Sequence, residues 1–109
     1  MAAEVLDLPR WVHLDPCWAA AMHVLGSPVL VEKGVMRHVD LERREIDFPG
    51  LQKRARAWSD GERTLLAAAG ALFGRLPGAE LRDLVSDLDE RNLRRVIQAM
   101  LVYRARGGR

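Results

Sequence analysis

From Leu65 to Phe73 the chain reads LLAAAGALF, nine residues without a polar side chain. A helix made of such a run is apolar all round and must be buried on most sides. Nine residues fall well short of the roughly 20 needed to cross a bilayer, so the run predicts a central helix of a folded core. Its start is written in the residues before it. Ser59 stands at an N-cap position with Glu62 three residues on, the pattern of a capping box, and the cap alone contributes about 1 kcal/mol. Leu65, Ala69, Leu72 and Phe73 form a bulky face of this helix, and Ala67, Gly70, Ala71 and Gly74 a small one that admits a close neighbour. A glycine inside a helix costs up to about 1 kcal/mol against alanine, so Gly70 calls for a packing reason.

A chain of 109 residues fills one core and not two, which predicts a single domain over residues 1–109. With 49% hydrophobic and 29% charged residues it has the composition of a folded protein, not a disordered one. Cys17 is the only cysteine, so no internal disulfide can form. The opening MAAEVLDLPR has no basic segment followed by an apolar run, and together these predict an intracellular, cytoplasmic protein with no membrane association. Lys33 and Lys53 are the only lysines, so fifteen of the seventeen basic residues are Arg; a GC-rich genome accounts for such a total as readily as guanidinium chemistry does.

Read in order, residues through Pro9 form an irregular arm or short strand. Asp15 followed by Pro16 is a helix start, and Cys17 to Leu25 is a short helix stopped by Gly26. From Pro28 the β-branched residues Val29, Val31, Val35, Val39 and Ile46 predict short antiparallel strands near Pro28–Val31, Val35–Leu41 and Arg44–Phe48. Turns fall at Lys33-Gly34 and Glu42-Arg43, and a helix over residues 37–46 is the alternative. Asp47 and Pro49 begin a short basic helix, Leu51 to Trp58. After the central helix and the break at Leu76-Pro77-Gly78, helices follow over Ala79–Leu88 and, capped by Asp87 or Asp89, to about Tyr103. The last has an apolar stripe of Leu93, Val96, Ile97, Met100 and Leu101, read as its buried face. Arg106 to Arg109 are a loose tail. The expected fold is α+β, a small antiparallel β-meander in the N-terminal half packed on a C-terminal three-helix bundle.

Chemistry is sparse. His13, His23, His38 and Cys17 have no metal-ligand spacing, no nucleotide or nucleophile motif occurs, and caps and turns account for the carboxylates. No catalytic residue, metal or cofactor is expected. The informative feature is a charge reversal. Residues 80–90 hold Glu80, Asp83, Asp87, Asp89 and Glu90 against one Arg, whereas residues 91–109 hold six Arg and no acid. Helix dipoles explain the ends of this pattern, but not Arg91, Arg94 and Arg95 in the first turns of a helix. Arg91, Arg95, Gln98, Val102 and Arg106 form one stripe opposite the expected buried face, able to meet an acidic partner or phosphates. Residues 80–101 resemble a helix-turn-helix in outline, with Arg91, Asn92, Arg94 and Arg95 facing nucleic acid; its first helix is acidic and would repel phosphate, which favours a plain helical hairpin. The function expected is a non-enzymatic protein-interaction module or accessory subunit, binding a protein partner or itself. The alternative is nucleic-acid binding through Arg91, Asn92, Arg94, Arg95, Gln98 and Arg106.

Overall fold

A computed structural model describes residues 7–107. Most of the N-terminal arm expected through Pro9, and Gly108 and Arg109 of the expected tail, lie outside them. The described chain is mostly helical with one small antiparallel sheet, an α+β arrangement in the coarse sense. The helices are α1 (Arg10–Leu14), α2 (Pro16–Leu25), α3 (Pro28–Glu32), α4 (Phe48–Ala55), α5 (Asp60–Phe73), α6 (Leu81–Asp87) and α7 (Glu90–Arg106).

Local capping sets most of these boundaries. Asp15 Oδ1 accepts from the backbone N–H groups of Cys17 and Trp18 at 2.9 and 3.1 Å, with Pro16 at the first helical position of α2. Asp47 accepts from Gly50 N–H at 3.0 Å to open α4. The capping box of α5 is formed in both directions, Ser59 N–H to Glu62 at 3.0 Å and Glu62 N–H to Ser59 Oγ at 3.3 Å. Gly74, at φ +84°, ends that helix in the left-handed conformation glycine adopts without penalty. Asp89, not Asp87, caps α7.

The expected β-meander contracts to one hairpin. Strands β1 (Val39–Asp40) and β2 (Glu45–Ile46) pair in the register Val39 with Ile46 and Asp40 with Glu45, and the turn between them spans the expected Glu42-Arg43. Residues Val35–His38 form a 3-10 turn, and the strand expected near Pro28–Val31 lies instead within helix α3. The reason is a Pro at the first helical position, the arrangement that also starts α2; it outweighs the strand preference of Val29 and Val31, and the turn buries Leu30 completely.

The helical packing also differs from expectation. The hub is α2, which lies against both α5 and α7, while α5 and α7 touch each other far less; the C-terminal helices therefore do not close a bundle among themselves. Seven of the ten residues of α2 are buried, among them Ala19, Ala20 and Ala21, and small side chains let two helices approach it closely. The apolar run of α5 packs on α2 with Leu65, Leu66, Ala68 and Ala69 buried. Gly70 has the packing reason its cost demands: a methyl group there would stand 2.9 Å from Cβ of Leu76, which folds back over the helix. Trp18 meets Trp11 and Phe73 edge-on at centroid distances of 4.9 and 5.2 Å, and Phe48 lies against Phe73, so an aromatic cluster joins α1, α2, α4 and α5. The guanidinium of Arg44, 4.3 Å above the Trp11 ring, fastens the hairpin to this cluster.

Candidate interaction surface

Helix α7 turns to the core a face that overlaps only part of its apolar stripe, at Leu93 and Val96. Val96 and Ala99 are fully buried against the hub. Beside them Arg95 Nη1 donates to the carbonyl of His23 at 2.9 Å, Gln98 Oε1 bonds the His23 ring at 3.1 Å, and Arg106 Nε donates to the carbonyl of His13 at 2.6 Å. The side chain of Cys17 on α2, as a hydrogen-bonding partner and through the negative charge of its thiolate, holds the Tyr103 phenol above its ordinary range. Three members of the stripe expected to face a partner, Arg95, Gln98 and Arg106, therefore also bond α1 or α2, although Arg91, Gln98 and Arg106 stay exposed. Arg106, expected in a loose tail, is the last residue of α7 and pins it to α1.

These contacts give the arginines a common structural role. The last carbonyls of a helix have no partner inside it and carry partial negative charge. His13 and His23 lie in the last turns of α1 and α2, and Lys33 is the C-cap of α3. Arg106, Arg95 and Arg54 donate to their carbonyls in turn, Arg54 at 2.6 Å. Three helix ends are thus closed by guanidinium groups from distant segments.

The rest of the apolar stripe of α7 is left outside. Ile97, Met100 and Leu101 are 46%, 42% and 61% exposed, and on α6 Leu81 and Val85 are 77% and 70% exposed. An apolar groove of about 180 Å³ runs between these helices, with Leu84 of α6 and Met100 of α7 on its walls and Ala68, Ala71 and Leu72 of α5 at its base. Leu81 and Val85 lie one turn apart on α6, and Ile97 and Leu101 one turn apart on α7. Each of the two helices thus carries an exposed apolar pair. The two helices also differ in charge: Glu80, Asp83 and Asp87 outnumber Arg82 in and beside α6, while Arg91, Arg94 and Arg104 are exposed on α7 with Glu90.

The six residues expected to bind a partner or nucleic acid are divided by the fold. Arg91, Arg94, Arg95 and Gln98 line one open depression of about 410 Å³ together with Glu90. Arg94 is paired with Glu90 at 2.7 Å, and Arg95 and Gln98 also bond α2. The backbone N–H of Asn92 is taken by the Asp89 cap, and Arg106 sits far along the helix. The apolar rims were missed as a surface because periodicity groups residues on a face without saying which face is covered.

A second, polar cleft of about 490 Å³ lies beside the hairpin, lined by Arg37, His38, Arg44 and Arg75 and by Asp40, Glu45 and Asp47. Its opposing charges are matched, and His38 Nδ1 is 3.5 Å from Asp47 Oδ2. Hydrogen bonding from Gly50 N–H, aided by His38, holds the Asp47 carboxyl below its ordinary range. Among the described residues no three His, Cys, Asp or Glu side chains converge as a metal site, and no helix is long and apolar enough to cross a membrane. No protein-family model, curated protein or solved structure matches the chain.

Proposed function

We propose that this protein is a non-enzymatic protein-interaction module whose docking surface is the groove between α6 and α7 and its apolar rims. The observation that carries the reading is the orientation of α7: Val96, Ala99 and Arg95 engage the hub while Ile97, Met100 and Leu101 meet solvent. Exposing that much apolar side chain on two adjacent helices costs solubility, and contiguous patches of this kind, rimmed by charge, mark interaction sites. The groove has the form that receives a helix, with small side chains at its base and larger ones at its edges.

Substituting Leu101→Asp tests the reading, because the residue is exposed and its loss leaves the core intact. The variant should keep the thermal stability of the parent and lose at least tenfold in affinity for whatever protein the parent retains from its native extract. Retention unchanged by Leu101→Asp and by Val85→Asp would overturn it.

Nucleic-acid binding is the second reading, supported by the depression that Arg91, Arg94, Arg95 and Gln98 share. It predicts binding that weakens steeply with salt and disappears in the Arg91→Glu, Arg94→Glu double variant. Glu90 in the same depression and the use of Arg95 within the fold favour the first reading.

A further inference from the structure

The charges that line the polar cleft beside the hairpin are matched in number but not joined in pairs. Asp40 accepts from the Arg43 backbone N–H at 3.0 Å and meets the Arg43 guanidinium, which is not part of the lining, at 3.9 Å. Asp47 is taken by the Gly50 N–H and by His38. Arg37, Arg44 and Arg75 form no ion pair with a described residue, and neither does Glu45. Three guanidinium groups and one carboxylate are therefore left over in the cleft lining itself.

The three arginines come from separate segments: the 3-10 turn Val35–His38, the hairpin turn, and the residue after the Gly74 cap of α5. Arg44 takes a left-handed backbone, φ +56°, that side chains rarely adopt, and its guanidinium is stacked 4.3 Å above Trp11. Stacking occupies the face of a guanidinium, whereas its N–H donors lie in its plane and stay available to an anion. The rest of the lining is apolar, formed by Ile46, Pro49 and Phe73. Contacts with Trp18 and Phe48 hold the Phe73 ring in place.

We propose that this cleft binds a nucleoside monophosphate. A phosphate monoester carries about −1.5 to −2 charges and three strong acceptor oxygens, which suits three guanidinium groups better than a carboxylate with one charge and two oxygens. Glu45 can only accept, so it has no use for the phosphate but can receive a sugar hydroxyl, as acidic side chains do for ribose. Phe73 offers the base an aromatic surface. The volume of about 490 Å³ lies within the range of small-molecule sites. A polynucleotide is disfavoured, because Asp40, Glu45 and Asp47 would repel its continuing backbone. The cleft shares no lining residue with the α6–α7 groove, so this site is independent of the docking surface.

The test is calorimetric titration of the full chain with the monophosphates of adenosine, guanosine, cytidine and uridine, each compared with its nucleoside and with inorganic phosphate. At least one monophosphate should bind with a Kd below about 1 mM, and its nucleoside and inorganic phosphate should each bind roughly tenfold or more weakly. Arg37→Gln and Arg75→Gln, both at exposed positions, should each weaken that monophosphate roughly tenfold. Arg56→Gln, exposed at the end of α4 and outside the cleft, should leave its affinity unchanged. Circular dichroism establishes that each variant is folded, and either arginine variant carries the comparison should the other unfold.

Failure of all four monophosphates to bind overturns the proposal. So does a nucleoside or inorganic phosphate that binds as tightly as the monophosphate, or an affinity that a folded Arg37→Gln or Arg75→Gln chain retains in full.

Discussion

Arg95 and His23, 72 residues apart, are joined by a hydrogen bond from a guanidinium to a main-chain carbonyl, 2.9 Å long and partly buried at the contact of α7 with α2. Removing the donor leaves that helix-end carbonyl short of a partner. Arg95→Ala should lower the unfolding free energy by about 1–2 kcal/mol. Arg91→Ala, exposed on the same helix, should change it by no more than about 0.5 kcal/mol. Urea titration of the two variants compares them directly.

The orientation of α7 can be checked by substitutions that reverse the ordinary expectation about size. Ala99 is fully buried against the hub, and Leu101, two residues on, is mostly exposed. Ala99→Leu should destabilise the chain by about 1–3 kcal/mol through overpacking. Leu101→Gln should leave the monomer within about 0.5 kcal/mol of the parent. Equal losses in thermal melts at dilute protein would mean that the helix is turned otherwise.

Gly70 sets helix propensity against packing. Alanine gains up to about 1 kcal/mol in the helix interior, but its methyl would crowd the Leu76 side chain down to Cβ, and overpacking costs about 1–3 kcal/mol. Gly70→Ala should be destabilising. In a Leu76→Ala background the same change should cost less or become favourable, which a double-mutant cycle measures.

Acid sensitivity should come from helix starts. The Ser59 backbone N–H, with Lys33 at 3.5 Å, holds the Glu62 carboxyl below its ordinary range, and the Gly50 N–H does the same for Asp47. A carboxyl whose folded pKa is depressed adds stability that is present above the unfolded value and is lost as pH falls through the folded one. Stability should therefore decline from about pH 4 downward. Glu62→Gln keeps an acceptor for Ser59 but cannot ionise, so its stability should fall less steeply over that range in denaturant titrations at stepped pH.

What could be read from the sequence was local. Asp15-Pro16, Ser59 with Glu62, and Asp47 act within one turn of chain, and each helix start they predict is present. Ser27-Pro28 carried the same kind of signal, but the valines after it were given more weight than the proline. Which helices pair depends instead on surfaces that meet only after folding. The most apolar run in the chain is not the hub, because α2 has the small side chains that two neighbours can approach. Likewise Leu93, Val96, Ile97, Met100 and Leu101 do share a broad face, but the buried one is centred elsewhere, on Val96 and Ala99, and Arg95 and Arg106 find helix-end carbonyls beside it. The candidate site was half legible: its charge pattern was plain in the sequence, whereas its apolar rims were assigned to the core.

The position of α2 also has a consequence in time. Its neighbours α1 and α5 are available early in the chain, but α7 joins α1 and α2 across long loops, as Arg95 and Arg106 bond His23 and His13 across 72 and 93 positions. Closing loops of that length comes late and slows folding. During synthesis the alanine face of α2 must wait uncovered until the last helix has left the ribosome, so a chain stalled before α7 exposes its own centre, and that interval is when it is most open to aggregation.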